Sequence, residues 1–255
     1  MSEREPVRAM ILAAGRGTRL RPLTDTVPKP LVEVAGRRLI DYALDTVARS
    51  GIRDVVINVH HFADAVRAAV GDGGDRGLHV EFSVETELLD SGGGILAARP
   101  LLGGATVVTL NADTIVDVDL GELVRWHRRR AAIATLLLRE DASAADYGLI
   151  GTDDDGLVVE FLDHRRPHRA PALHKMMYTG VQVLEPTVYD SMPSGGAFSI
   201  TRDTYPRLLA ADLPVFGRRF DGRWITVGTP DELAAAEARL SAPAEVGNGS
   251  VAAKR

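Results

Sequence analysis

The chain of 255 residues contains no cysteine. Disulfides and thiolate metal sites are thereby excluded, and the absence fits a reducing compartment. Aromatic residues make up only 5% and form no cluster, which counts against an aromatic cage for a quaternary ammonium ligand. No apolar run approaches the ~20 residues of a membrane span, and the opening MSEREPVRAM lacks the long apolar core of a secretory signal. Positive charge is not in excess: 30 Lys and Arg against 35 Asp and Glu leave a net charge of −5, which argues against a nucleic-acid coat. There is no internal repeat and no linker between domains. A soluble, cytoplasmic protein, free of nucleic acid and membrane, is the expectation.

What is present is a globular composition, with 45% apolar and 25% charged residues. The length fits one large α/β domain. Short apolar runs alternate with helical spacing. Val7–Leu12, Asp54–Val59, His79–Val84 and residues 106–110 read as strands. Residues 39–50, 62–70, 91–101 and 120–130 read as helices, the first two closed by Gly51 and Gly71. This alternation predicts a Rossmann-like, mixed but mostly parallel central sheet flanked by helices. A ligand site is then expected at the carboxyl ends of the strands. After residue 133 strands dominate, at 133–138, 149–151, 157–161 and 178–184, with a basic loop at 165–175 and helices at 201–211 and 230–240. One domain over 1–240 is expected, with a nucleotide-binding half (about 7–130), a second substrate half (about 131–240) and a flexible tail at 241–255.

The stretch ILAAGRGTRLRPLTDTVPKPL, residues 11–31, hangs a glycine-rich, cationic loop on the first strand. Gly15 and Gly17 can turn backbone N–H groups toward an anion. Arg16, Arg19, Arg21 and Lys29 add positive charge, while Pro22, Pro28 and Pro30 stiffen the loop. A polyphosphate is the ligand this chemistry fits. Two familiar phosphate loops do not match: Lys29 lies too far on for a P-loop, and Leu20 holds the third glycine position of a dinucleotide fingerprint. A plain solvated connector is the alternative.

LAAGRGTRLRPLT followed by PKPL resembles the signature of the sugar-1-phosphate nucleotidyltransferases, the nucleoside-diphosphate-sugar pyrophosphorylases. The resemblance continues through VVINVHHFAD, ELLDSGGGIL, LNADTIVDVDL, YTGVQVLEP and WITVGTPDEL, from about residue 7 to 240. It implies the nucleotidyltransferase fold, here without a C-terminal β-helix, and an NTP and a sugar 1-phosphate as binding partners. It implies phosphates cradled by Gly15, Gly17 and Thr18, and Arg19 and Lys29 as catalytic charge-stabilising groups. The base would be read through backbone near Leu12, Ala13 and Ala14, with Glu87 and the Ser91-Gly92 turn flanking it. Gly148, beside Tyr147, and Thr179, in the Tyr178-Thr179-Gly180 segment, would line the sugar pocket. Asp113, where the fourth strand ends, would be the Mg²⁺ ligand, a role that suits a hard ion taking one or two carboxylates plus substrate phosphates; an Asx turn is the alternative.

Two positions depart from the pattern of the resemblance. Thr226 stands where a second metal Asp is usual, and Asp163-His164-Arg165 stands where a lysine holds the sugar phosphate, with Arg165 or Arg166 as the replacement guanidinium. His60 and His61 are adjacent on a strand end and point apart, so they are not read as a metal pair. The first half most resembles uridylyltransferases for N-acetylmuramic acid 1-phosphate and the second guanylyltransferases for mannose or heptose 1-phosphate. The alternatives are a non-catalytic nucleotide-sugar binder, with Thr226 as the trace of lost chemistry, and a cytidylyltransferase for phosphocholine or another non-sugar phosphate. The sequence carries no signal for an oligomeric state.

Overall fold

The first strand shows why the sheet forms. In β1 (Val7–Leu12) Ala9, Met10 and Ile11 are all fully buried. Alternate side chains enter opposite cores, Ala9 and Ile11 with one cluster and Met10 with the other. A continuous apolar run buried on both faces is what a central strand between two layers of helices requires. The structure is a computed structural model describing residues 6–141 and 148–241. The expected tail therefore lies outside the described residues, apart from Ser241, and so does Tyr147.

The elements follow in order. First come β2 (Glu33–Val34), β3 (Arg37–Arg38), α1 (Leu39–Arg49), β4 (Asp54–Val59), α2 (Ala63–Val70), β5 (His79–Val84), α3 (Asp90–Ala97) and α4 (Arg99–Leu102). Then come β6 (Thr106–Asn111), β7 (Thr114–Val116), α5 (Leu120–Arg129), β8 (Ala134–Arg139), β9 (Ile150–Thr152), β10 (Val158–Phe161) and β11 (His164–Arg165). The described chain closes with β12 (His174–Leu184), α6 (Tyr205–Ala210), β13 (Val215–Arg219), β14 (Trp224–Thr226) and α7 (Pro230–Ser241).

One ten-stranded sheet runs β11-β10-β9-β12-β6-β1-β4-β5, with β8 against β12 and β13 against β8. β1 is parallel to β4 and β6, β5 is parallel to β4, and β12 runs antiparallel to β6, β8 and β9. The sheet is mixed, as expected. No helix among the described residues is long and apolar enough to cross a membrane.

α1 buries Ile40, Ala43, Leu44 and Val47 along one face, and Gly51 follows in the left-handed region at φ 78°. The predicted helix at 91–101 is two helices instead. Pro100 has no N–H to continue the ladder, so α3 ends at Ala97 and α4 starts afresh. The helix expected at 201–211 opens on a π-helical turn, Ile200–Thr204, before α6, which carries Pro206 in its first turn. β12 begins at His174, so the basic loop is shorter than expected. The pairs β2/β3 and β7/β14, and β13 behind Pro214, were not anticipated.

The basic loop also yields a correction. Arg166 is only 2% exposed. Its Nε donates to Val158 O at 2.9 Å, Nη2 to Leu213 O at 2.7 Å and Nη1 to Asp212 Oδ1 at 2.8 Å. The fork that could have held a phosphate is spent tying β10 to the end of α6. The guanidinium holds the exposed Asp212 carboxyl below its ordinary range, mainly through that hydrogen bond. We predict that Arg166→Ala, which strands the buried Val158 carbonyl and the partly buried Leu213 carbonyl, lowers stability by about 3 kcal/mol. A thermal melt then falls by roughly 5–10 °C; a melt within a degree of the parent would contradict this structural role.

Candidate functional site

The site grows from the carboxyl ends of β1 and β6. Leu12 lies in register with Asn111, and the Ala112 N–H donates to Leu12 O at 3.0 Å. Chain leaving β1 becomes the glycine-rich loop, and chain leaving β6 presents Asp113. The two meet: the Lys29 ammonium forms an ion pair and hydrogen bond with the Asp113 carboxylate. Lys29 is mostly buried and Asp113 less so, at 12% and 30% side-chain exposure, so the pair is partly shielded from solvent screening.

The loop is held in shape by its own sequence. Leu20 buries its side chain in a small core with Val34, Leu39, Ile225 and Val227. Thr24 Oγ1 donates to Gly17 O at 2.7 Å. Gly17 adopts φ 65°, and a Cβ there would stand 3.0 Å from both Lys29 Cβ and Thr24 Cγ2. Only glycine fits both the conformation and the space. At Gly15 a Cβ would meet nothing within 4 Å, so that backbone is open to a ligand. Thr18 starts a 3-10 turn, Thr18–Leu20. The Arg19 guanidinium packs against Gly228, where a Cβ would fall 2.7 Å from Arg19 Nη2.

A cavity of about 490 Å³ lies beside this junction. Arg19, Leu12, Asn111, Asp113 and Thr226 are among its lining residues. Gly148, Tyr178, Thr179, Gln182 and Ser91 line it as well. Thr226 reaches the cavity because β14 pairs with β7, Thr226 opposite Thr114, while the Val227 N–H donates to Asp113 O at 3.0 Å. Among the described residues no group of three His, Asp or Glu is placed to hold a metal ion. Asp113 with a neutral hydroxyl beside it suits a divalent ion whose other ligands are phosphates and water, not one caged wholly by protein.

Several sequence expectations meet different chemistry. The Ala13 N–H is not free for a base: it donates to Asn58 Oδ1 at 2.9 Å. Asn58 Nδ2 donates to Glu85 Oε1 at 2.6 Å, and Glu85 Oε2 accepts from the Leu89 N–H at 3.1 Å. This buried pair ties the root of the loop to the approach to α3. Glu87, the expected acid, is exposed, whereas Glu85 is buried. Ala14 is buried beside Ala13.

The glycines of α3 make close approach to protein. The Gly92 and Gly93 N–H groups both donate to Phe198 O, at 2.9 and 3.1 Å. A Cβ at Gly92 would fall 2.3 Å from the Phe198 ring. Ser91 does line the cavity, but it sits inside the helix that Asp90 opens and accepts from the Ile200 N–H at 3.2 Å. The Thr179 hydroxyl donates its proton to Leu137 O at 2.8 Å, so it has none to offer a sugar. Gly148, at φ 80°, lines the cavity against Leu162. Asp163 lines an adjoining cleft with Glu160 and Lys175, and the exposed His164 starts β11; neither lines the main cavity. His60 Nδ1 lies 3.0 Å from Glu85 O, and the exposed His61 packs on Phe62, so the two do not converge.

The sequence reasoning missed Asn58, Glu85 and Gln182. The signal was available for two of them: a polar residue inside an apolar strand, Asn58 in DVVINV and Gln182 in GVQVL, needs a buried partner.

A family model described as "Nucleotidyl transferase" matches residues 8–242. The UTP–glucose-1-phosphate uridylyltransferase of Synechocystis sp. is 31% identical, over 92% of this chain and 64% of its own length. The mannose-1-phosphate guanylyltransferase of Mycobacterium tuberculosis is 32% identical, over 92% and 64%. This chain thus spans just under two thirds of either. The N-acetylmuramate alpha-1-phosphate uridylyltransferase of Caulobacter vibrioides is 37% identical, over 92% of this chain and 98% of that one. Among solved structures, a putative glucose-1-phosphate thymidylyltransferase from Bacillus anthracis superposes with a TM-score of 0.78 at 20% identity, covering 91% and 94% of the two chains. HddC from Yersinia pseudotuberculosis complexed with GMP-PN gives 0.74 at 20%, covering 91% and 99%. The structural likenesses carry the fold.

The Asn58–Glu85 pair generates a test. Asn58→Leu leaves the Ala13 N–H and a buried carboxylate without their partner, and we predict a stability loss of about 2–4 kcal/mol by urea denaturation. A loss under half a kcal/mol would mean that the pair is not holding the loop root.

Proposed function

The chain belongs to the nucleotidyl transferase family, and on that premise we propose that it joins a nucleoside triphosphate to a sugar 1-phosphate, giving a nucleoside-diphosphate sugar and pyrophosphate. UTP and GTP are the favoured nucleotides, since the relatives include uridylyl- and guanylyltransferases. One observation carries the reading: the open glycine-rich loop, Lys29 and Asp113 converge where β1 and β6 end, beside a cavity large enough for a sugar phosphate.

In this reading an oxygen of the sugar phosphate attacks the α-phosphorus of the triphosphate. A P–O bond forms there, the bond to the β-phosphate breaks, and its electron pair leaves with pyrophosphate. The attacking phosphate monoester is already anionic near neutral pH, so no general base is required. The protein's work is positioning and charge neutralisation. Backbone at Gly15, Gly17 and Thr18 receives the phosphates. Arg19 and Lys29 oppose the negative charge that builds on them. A triphosphate reaching the loop gives the Lys29 ammonium a second anionic partner besides Asp113, and the carboxylate becomes available to a cation. Asp113 would hold a divalent ion such as Mg²⁺, which when bound would supply further positive charge to the phosphates. The polar and apolar wall across the cavity, from Gly148 to Gln182, receives the sugar.

A binder without turnover is the second reading, and Thr226 beside Asp113 is the observation that favours it, because a hydroxyl does not neutralise a divalent ion. Pyrophosphate release across ATP, GTP, CTP, UTP and dTTP with a set of sugar 1-phosphates and Mg²⁺ separates the two. Turnover on one pair supports the enzyme; binding with no turnover on every pair supports the binder. For the enzyme, Lys29→Ala and Asp113→Ala each lower kcat/KM by roughly 10²–10³ with the fold intact by circular dichroism. Parental turnover in folded Asp113→Ala would remove the carboxylate from the mechanism.

A further inference from the structure

A sugar 1-phosphate brings a phosphate of its own, and the cavity has to meet it with positive charge. Among the described residues, two Lys or Arg side chains line the cavity, Arg19 and Arg202. Arg19 belongs to the loop read as receiving the triphosphate. The stretch where the sequence placed a sugar-phosphate group supplies no cation to the cavity. Arg166 is tied to Val158 O, Leu213 O and Asp212, Arg165 Nη2 donates to Arg169 O at 3.2 Å, and Lys175 pairs with Glu160 at 3.0 Å in the adjoining cleft. Arg202 is different. It lies in the π-helical turn Ile200–Thr204, a form that is rare and recurs at functional sites. This turn presents four consecutive residues, Ser199 to Arg202, to the cavity. Its backbone is fixed: the Ser199 N–H donates to Asp203 Oδ2 at 2.7 Å and the Ile200 N–H to Ser91 Oγ at 3.2 Å. The Arg202 side chain is not buried with it. It is 72% exposed and pairs at 3.2 Å with Asp90, itself 44% exposed and also lining the cavity. An ion pair this open to water is weak, and a doubly charged phosphate can displace it.

We infer that Arg202 is the side chain that binds the phosphate of the incoming sugar 1-phosphate, exchanging Asp90 for phosphate oxygens. The inference rests on the sugar 1-phosphate reading of the cavity. A guanidinium presents parallel N–H donors that match two oxygens of one phosphate. Asp90 keeps the long side chain at the cavity beforehand, so less rotamer freedom is lost when the substrate arrives. The reaction brings two anions together, the attacking phosphate and the triphosphate. Arg202 on the first and the Arg19–Lys29 loop on the second divide the neutralisation between them.

The test is steady-state kinetics with the NTP and sugar 1-phosphate that give turnover in the parent, each varied in turn. Arg202→Gln should raise KM for the sugar 1-phosphate by roughly 10- to 100-fold, the loss of charge-assisted hydrogen bonds, and leave KM for the NTP within about twofold. Arg202→Lys keeps the charge and loses the fork, and should raise the sugar 1-phosphate KM by less. Asp90→Asn removes the ion pair and leaves the guanidinium, so it should not reproduce the rise; a role confined to linking the π-helical turn to α3 would make it do so. An unchanged sugar 1-phosphate KM in Arg202→Gln, an equal rise in both KM values, or the same rise in Asp90→Asn overturns the assignment while leaving the nucleotidyltransfer reading standing. Absence of parental turnover on every sugar phosphate overturns both.

Discussion

Everything at this site depends on a lysine and an aspartate 84 positions apart meeting at the ends of two neighbouring parallel strands. Neither would hold its place alone. Lys29 sits at the far side of a loop built from three short 3-10 turns, and Asp113 is two residues beyond the end of β6. Their ion pair closes the loop over the strand ends. A free lysine in a loop would cost side-chain entropy to immobilise on arrival of a substrate; one already seated on a carboxylate has lost that freedom beforehand. In the proposed function the pair is also a reserve of both charges that an anionic, metal-accompanied substrate would draw on.

The fold exists to keep that meeting fixed. Parallel pairing of β1 with β6 and β4 sets Leu12, Asn111 and Asn58 in neighbouring register. Asn58 and Glu85 then secure the first residue of the loop from below, while Leu20 and Thr24 secure its middle. The β7/β14 pair brings Thr226 to Asp113 from the last quarter of the chain. On the far side β12 crosses antiparallel to β6 and provides the cavity floor. Strands therefore surround a loop whose backbone is open at Gly15.

The architecture was legible because it is written in period and punctuation. β1, β4 and β5 were read with the bounds they have, and Gly51 stopped α1 where a left-handed residue was needed. The family was legible in the loop, since Gly17 and Lys29 are required by local geometry as well as by chemistry. What was not legible was the choice of partner. An arginine in a basic loop, a threonine at a pocket, a run of glycines at a helix start each have two uses, and composition does not say which prevails. Arg166 went to carbonyls of its own chain, Thr179 to Leu137, and Gly92 to Phe198, each a tertiary neighbour distant in sequence. Glu87 and Glu85 differ by two residues and by which side of a chain reversal faces inward, a distinction that only packing settles. Asn58 and Gln182 were passed over although polar residues inside apolar strands announce buried hydrogen bonds.

The most direct measurement is a crystal structure with a non-hydrolysable nucleoside triphosphate and Mg²⁺. The account predicts the phosphates against the backbone of residues 15–18, the Lys29 ammonium within hydrogen-bond distance of a phosphate oxygen, and the cation on Asp113. A triphosphate bound elsewhere, with the Lys29 ammonium still paired to Asp113 and to no phosphate, would contradict it.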